Sequence, residues 1–172
     1  MDFRFSEADE GFREEIANFV ESELPWDWRN RAVDAEEPGD SVLVKQFKKK
    51  LSGNGWLTLA WPEEYGGQAA PHIRQMIFNE EMAYRGVPAA DNGVTMVGPI
   101  LMLYGSEEQK RYFLPRIAQA DITWAQGYSE PDAGSDLAAL QTRAEEDGDD
   151  FVVTGSKIWN GAHGGAEWMF ML

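Results

Sequence analysis

Apolar residues recur along the first two thirds of the chain with the spacing of amphipathic helices. Between Ser6 and Leu24 they stand at i, i+4, i+7 and i+8, at Phe12, Ile16, Phe19 and Val20. This spacing places them on one face of a helix. Ser6 and Asp9 form a typical N-terminal capping pair, and Pro25 is predicted to end the helix.

Further helices are predicted by similar stripes. One covers Ser41 to Ser52, and another covers Pro71 to Arg85 with an inward face made of Ile73, Met76, Ile77 and Tyr84. The segment Asn92 to Tyr104 is apolar almost all round, which predicts a buried helix that Pro99 kinks. A capping box of Ser106 with Gln109 opens a short helix to about Ile117.

The segment from Trp26 to Gly39 has no period and is predicted to be a loop. Beyond Gln119 the pattern changes to that of strands. The sequence predicts strands at Ile122–Tyr128, Leu140–Glu145, Phe151–Thr154, Lys157–Trp159 and Trp168–Leu172. The second has a half-buried alternation, and Asp147-Gly148 is the turn that leads into the third.

The predicted fold class is α+β, with an N-terminal all-α helical bundle over residues 1–119 followed by part of an antiparallel β domain over 120–172. The last strand runs to Leu172 without a turn signal. Residues 120–172 are too few for a complete β-barrel or sandwich. We therefore expect these 172 residues to be the front part of a longer enzyme.

Composition narrows the possible functions. A net charge of −15 disfavours nucleic acid as a partner, and the basic cluster Lys45 with Lys48–Lys50 is interpreted as a solvated helix face. The chain has no Cys and only His72 and His163, so a metal site is not expected and His163 is interpreted as a loop residue. No secretory leader is evident, and no apolar run approaches the roughly 18 residues of a membrane span, so a cytoplasmic location is expected.

The most informative segment is Gly127–Asp136, GYSEPDAGSD. Its small residues and fixed Pro allow bare backbone to approach a flat or phosphorylated ligand. It resembles the flavin-contacting signature of the acyl-CoA dehydrogenase family. Three further motifs of that family follow the same order along the chain: Trp61–Gly67 (WPEEYGG), Gly105–Lys110 with Leu114-Pro115, and Gly148, Gly155, Lys157 and Trp159. The resemblance runs from about Phe5 to Leu172.

The resemblance implies an FAD-dependent enzyme that oxidises an acyl-CoA thioester between Cα and Cβ and passes electrons to an acceptor of the electron-transfer flavoprotein type. It also implies a homo- or hetero-oligomer. In the family the catalytic Glu comes from a C-terminal helical domain, so no catalytic residue is assigned within this chain. Glu130 is interpreted as structural rather than as the base.

The resemblance also implies which residues bind the cofactor: Gln126, Tyr128, Ser129, Ser135, Trp159, Asn160 and Gly161. Ser129 would offer its hydroxyl to the pyrimidine edge of the flavin, with Gln126 and Tyr128 in contact along the strand. Ser135 would meet the acyl-CoA substrate or a flavin phosphate. The segment Trp159–Gly161 would stack beside the ring and reach N5.

Two alternatives stay open at the level of sequence. The apolar positions at 94–103 fit ordinary core packing, while the resemblance favours a slot for the acyl chain. Two places after the Trp, the family usually carries a Thr or Ser, and this chain has Gly161. That departure favours the alternative of a non-catalytic partner subunit. A further alternative is an inactive truncated member of an acyl-CoA dehydrogenase complex.

Overall fold

The computed structural model describes residues 4–32, 41–87, 89, 92–161 and 165–172. The helices are α1 (Glu7–Glu23), α2 (Trp28–Arg31), α3 (Val42–Gly53), α4 (His72–Tyr84), a π-helix (Gly93–Val97), α5 (Gly98–Tyr104) and α6 (Glu107–Ala118). The strands are β1 (Trp124–Gly127), β2 (Arg143–Asp147), β3 (Asp150–Thr154) and β4 (Trp168–Met171). Within these ranges no helix has both the length and the apolar character to cross a membrane.

The predicted helix starts are confirmed, because they depend on local hydrogen bonds. The Ser6 side chain accepts a hydrogen bond from the Asp9 N–H at 3.2 Å and caps α1. At α6, Ser106 and Gln109 form the full capping box. Both caps satisfy N–H groups that a helix leaves unpaired in its first turn.

The prediction of a loop from Trp26 to Gly39 is wrong in its first part. One helical turn, α2, forms there and buries Trp28. The rest of that segment, residues 33–40, lies outside the described residues. A single turn is too short to show a period, which is why the sequence pattern does not reveal it.

The inward face of α4 also differs from the prediction. Ile77 is buried as expected, but Tyr84 is 86% exposed. The inner stripe includes Glu81, which is only 9% exposed because Arg13 of α1 binds its carboxylate at 2.8 Å and Arg85 binds the other oxygen. A paired carboxylate thus occupies a core position that hydrophobic periodicity assigns to apolar residues.

The helical core forms where α1, α3 and α4 meet the segment between α3 and α4. Its fully buried side chains include Ile16, Val44, Phe47, Leu51 and Ile77. In the same core the ring of Trp56 packs edge-on against Phe12 and Phe19.

The Asn92–Tyr104 segment is helical, but Pro99 does not simply kink it. The Gly98 N–H donates to the Gly93 carbonyl, one residue further back than in an α-helix. The Val94 carbonyl would next require an N–H from residue 99, which proline lacks. The Trp61 indole N–H donates to that carbonyl instead, at 3.1 Å.

The expectation that this helix is buried holds only for its first half. Val94 and Val97 are in the core, whereas Leu103 is 72% exposed and Tyr104 is 83% exposed. An all-round apolar pattern does not distinguish a buried helix from one that presents an apolar face outwards.

The strands pair in two ways. β2 and β3 form the predicted antiparallel hairpin, whereas β1 and β4 pair in parallel, with Trp124 opposite Trp168 and Gly127 opposite Met171. The half-buried alternation predicted for β2 is wrong, since every residue of β2 and β3 is exposed. The predicted strand at Lys157–Trp159 is also wrong, and its actual conformation is described below.

An aromatic cluster joins the helices to the β1–β4 sheet. The ring of Phe113, on α6, lies edge-on to Trp124 at 5.2 Å and to Trp168 at 4.9 Å between centroids. Trp124 and Trp168 stack on each other at 5.9 Å. Each such pair contributes about 0.5–1.5 kcal/mol beyond area burial, so the cluster fixes β1 against the bundle.

We predict that Gly98→Ala destabilises the protein by about 1–3 kcal/mol, because a methyl group there would overlap the buried Trp61 ring. Urea unfolding measures the change. Gly11→Ala is the matched control, since Gly11 lies in α1 with no neighbouring atom within 4 Å of a new Cβ. The control should gain about 0.5–1 kcal/mol, and an equal response of both variants would contradict the prediction.

Candidate flavin site

Residues 157–161 run beside β1 along the edge opposite to β4, and we call them the strap. The Gln126 N–H donates to the Asn160 carbonyl at 3.0 Å, and the Ile158 N–H donates to the Ser129 carbonyl at 2.9 Å. Position numbers rise along β1 as they fall along the strap, so the two segments are antiparallel. This pairing brings the predicted residues of both segments together.

The strap is not a strand because Trp159 breaks the ladder. Its φ is 55°, in the left-handed region that bulky residues avoid. Such a conformation costs on the order of 1–3 kcal/mol and is found chiefly where surrounding contacts enforce it. The Trp159 side chain is 81% exposed, so this turn holds an indole in the open instead of burying it.

Gly161 ends the strap where it meets the helical part of the chain. Its φ is 70°, and a Cβ there would lie 3.8 Å from the Asn92 side-chain nitrogen. Asn92 is the residue that precedes the π-helix. The end of the strap and the start of the π-helix therefore face each other.

A buried ion pair anchors the strap. The Lys157 ammonium donates to the Glu130 carboxylate at 2.8 Å and to the Tyr128 carbonyl at 3.1 Å. The Lys157 and Glu130 side chains are only 6% and 7% exposed. Glu130 also accepts the N–H of Gln141 at 2.7 Å and the N–H of Thr142 at 2.9 Å, which attaches the start of β2 to the same point.

These donors determine the charge state of Glu130. Lys157 foremost, and then Thr142 and Gln141, lower the pKa of the Glu130 carboxyl to about 2. Both of its oxygens already accept hydrogen bonds. A carboxylate so stabilised in its charged form is a poor proton acceptor, which agrees with a structural role for Glu130.

Ser135 lies apart from the strap, beyond a tight turn. Glu130 and Ala133 exchange both backbone hydrogen bonds, at 2.8 and 3.1 Å, and close this turn. Gly134 and Ser135 follow it at the surface. A Cβ added at Gly134 would meet no atom within 4 Å, and its φ is not positive. Neither space nor backbone conformation in the described part of the fold therefore requires glycine there.

The structure thus places Gln126, Tyr128, Ser129 and the Trp159–Gly161 segment on two adjacent segments, and Ser135 outside them. The contacts of Lys157 with Glu130 and of Asn92 with Gly161 were not predicted from the sequence. The position of Lys157 in a family motif was a signal in the sequence that could have indicated its role. Asn92 gave no signal, since its proximity to Gly161 arises only from the tertiary fold.

A cavity of about 260 Å³ lies next to the π-helix. Val94, Thr95 and Pro99 line one side, and the other side is formed by residues 56–61 and α4. Val94 and Val97 pack in the core at the same time. The segment 94–103 therefore contributes both to core packing and to the wall of a cavity.

Two family models match the chain, one over its helical part and the other over its strands. Residues 6–121 match the acyl-CoA dehydrogenase N-terminal domain, and residues 125–172 match the acyl-CoA dehydrogenase middle domain. The chain belongs to the acyl-CoA dehydrogenase family. The family consists of flavoprotein oxidoreductases of lipid metabolism whose members bind FAD. The α+β fold predicted for this chain is confirmed.

Several relatives are similar over nearly the whole of this acyl-CoA dehydrogenase chain. Acyl-CoA dehydrogenase FadE26 of Mycobacterium tuberculosis is 39% identical over 160 residues, which cover 92% of this chain and 40% of FadE26. The ChsE4–ChsE5 complex of M. tuberculosis contains a chain that is 39% identical with a TM-score of 0.85, over 99% of this chain and 43% of that one. The Tcur3481–Tcur3483 steroid ACAD gives 39% identity and a TM-score of 0.87, over 99% and 44%.

The chain therefore spans about two fifths of the length of these relatives. The predicted family membership is confirmed by both kinds of similarity. The assignment of individual residues to the flavin and to the substrate stays a prediction.

The lowered pKa of Glu130 predicts an acid-dependent loss of stability. A carboxyl whose pKa is about 2 when folded and about 4.5 otherwise stabilises the fold above pH 4.5, and the contribution is lost as the pH falls towards 2. Glu130→Gln lacks it. The difference in unfolding free energy between wild type and variant, from urea titrations followed by tryptophan fluorescence, should shrink over that range. A difference independent of pH would contradict the assignment.

Proposed function

We propose that this chain supplies the flavin-binding wall of an FAD-dependent acyl-CoA dehydrogenase. The observation that carries the proposal is the state of Ser129. Its carbonyl is bound by the strap, yet within the described residues neither its N–H nor its hydroxyl makes a hydrogen bond. Ser129 thus keeps its donors available next to the strap, in which Trp159 follows the residue that binds the Ser129 carbonyl and is exposed.

These features fit a flat, polar-edged ring system. A serine with available donors suits the pyrimidine edge, and an indole held in the open suits contact with the isoalloxazine ring. Bound FAD would supply the acceptor for the hydride that leaves Cβ of the acyl group. The residues of this chain would hold the ring in place, orient it and keep water from one side of it.

The substrate side of the proposal rests on the turn after Glu130. Ser135 is exposed, and Gly134 leaves its backbone open, as the approach of a large ligand requires. We infer that this turn contacts acyl-CoA or a flavin phosphate.

The cavity beside the π-helix is a candidate for part of the acyl site. The steroid ACAD that this chain resembles suggests a steroid-type acyl group as the substrate class.

A second candidate function is that of a subunit in a mixed complex. The ChsE4–ChsE5 relative is a complex of differently named chains, and Gly161 lacks the hydroxyl that the family usually places there. The number of FAD molecules per protein chain separates the two candidates, because a complex that contains a subunit without flavin would hold less than one FAD per chain. In either case the assembly is a homo- or hetero-oligomer.

We place the boundary between the two domains at 119/120, since α6 ends at Ala118 and β1 begins at Trp124. The electron acceptor would be of the electron-transfer flavoprotein type, and the location cytoplasmic. The base that removes the α-proton would come from outside residues 1–172.

Ser129→Ala is expected to weaken FAD binding by about 0.5–1.5 kcal/mol, roughly twofold to tenfold, because it removes one hydrogen-bonding hydroxyl. Fluorescence titration of the apoprotein with FAD measures the change. Ser22→Ala is the control, because the Ser22 hydroxyl bonds only its own helix, at the Phe19 carbonyl. Equal affinities for wild type and Ser129→Ala would remove the Ser129 hydroxyl from the site, and a wild type without FAD would refute the proposed function.

Ser135→Trp is expected to raise the KM for acyl-CoA by about tenfold or more, because bulk at the turn blocks the approach of the substrate. Steady-state kinetics of the holoenzyme with an artificial electron acceptor measure it. Ser22→Trp places the same bulk on the exposed face of α1 and should change nothing. An unchanged KM in Ser135→Trp would exclude Ser135 from the substrate site.

A further inference from the structure

We propose that Lys157 is a positioning residue for the flavin. Its ammonium, held by Glu130, fixes the Tyr128 carbonyl and so turns the N–H of the same peptide, which belongs to Ser129, towards the face where the flavin binds. The inference rests on the proposed function and assigns a task to a residue that does not itself touch the cofactor.

The peptides on either side of the Ser129 Cα are both held by the strap. The Tyr128 carbonyl accepts from Lys157 at 3.1 Å, and the Ser129 carbonyl accepts from the Ile158 N–H at 2.9 Å. Both peptide planes are therefore fixed by consecutive residues of the strap. Because a trans peptide points its N–H opposite to its carbonyl, the Ser129 N–H is directed away from Lys157.

The charge of Lys157 also acts on the donor strength of that N–H. A cation bound to a peptide oxygen polarises the peptide and strengthens the hydrogen bond that its N–H can donate. The environment favours such an effect, since the Lys157 side chain is only 6% exposed and charges are screened less away from water. A flavin gains negative charge when it is reduced, so a stronger donor at its edge favours the reduced form.

Glu130 makes this arrangement possible. An ammonium buried beside a carbonyl alone would be costly, and the carboxylate at 2.8 Å compensates its charge. The N–H groups of Gln141 and Thr142 in turn hold Glu130 against the start of β2. The strap, the end of β1 and the β2–β3 hairpin are thus tied at one point, with Ser129 on one side of it.

A purely structural ion pair would stabilise the fold without affecting the bound flavin. The two roles are separated by measuring FAD affinity, the midpoint potential of the bound flavin and the thermal unfolding of the apoprotein on the same variants. Lys157→Met removes the charge at similar length, and Lys157→Arg retains it. Lys50→Met is the matched control, because it breaks an exposed ion pair with Glu23 between α3 and α1.

In the holoprotein, Lys157→Met is expected to weaken FAD binding by about tenfold, the effect of losing one charge-assisted orientation, and to move the potential of the remaining flavin to more negative values. Lys157→Arg should restore most of both, and Lys50→Met should match wild type. An unchanged affinity and potential in Lys157→Met would overturn the inference. The inference would also be overturned if Lys157→Met lost FAD only in proportion to its loss of folded apoprotein, while the midpoint potential of the remaining flavin stayed unchanged. A wild-type protein that binds no FAD would overturn the proposed function and this inference together.

Discussion

The buried contact between Lys157 and Glu130 is the interaction on which the candidate site depends. Its members come from the strap and from the turn after β1, and their hydrogen bonds reach the start of β2. Removing a charged group from water costs several kcal/mol, so a buried pair persists only where further donors and acceptors complete it. Here the Tyr128 carbonyl and the N–H groups of residues 141 and 142 do so.

The helical part contributes a second constraint, which is how β1 is held. Phe113 packs against Trp124 and Trp168, so the first residue of each paired strand lies against α6. On the neighbouring side, Trp61 completes the π-helix and Gly98 leaves room for its ring. The π-helix thereby presents Asn92 to Gly161 at the end of the strap. The site is thus bounded by groups that distant parts of the chain bring together.

The sequence predicted the features that depend on neighbours along the chain. The caps at Ser6 and Ser106 and the turn at Gly148 rest on contacts within a few residues, and all are present. The predictions failed where a long-range contact overrides the pattern. Glu81 enters the core because Arg13 reaches it from α1. The parallel pairing of β1 with β4 joins segments about forty residues apart, and no local signal encodes it.

In the candidate site, too, the sequence indicated which residues take part but not the conformation that long-range contacts impose on them. Motif resemblance named Ser129 and Trp159, and the structure places their segments side by side. It did not indicate that Trp159 adopts a left-handed conformation and interrupts the predicted strand. That conformation depends on hydrogen bonds to β1 on one side and on the anchored Lys157 on the other, which are properties of the assembled fold.

Amide hydrogen exchange of the protein with and without FAD locates the bound cofactor without any substitution. We expect FAD to slow exchange at residues 127–130 and 159–161, above all at the Ser129 N–H, which has no partner in the described part of the fold. Exchange in the buried turns of α3 should not change. Protection confined to other segments, with no effect on Ser129 or the strap at saturating FAD, would show that the flavin binds elsewhere.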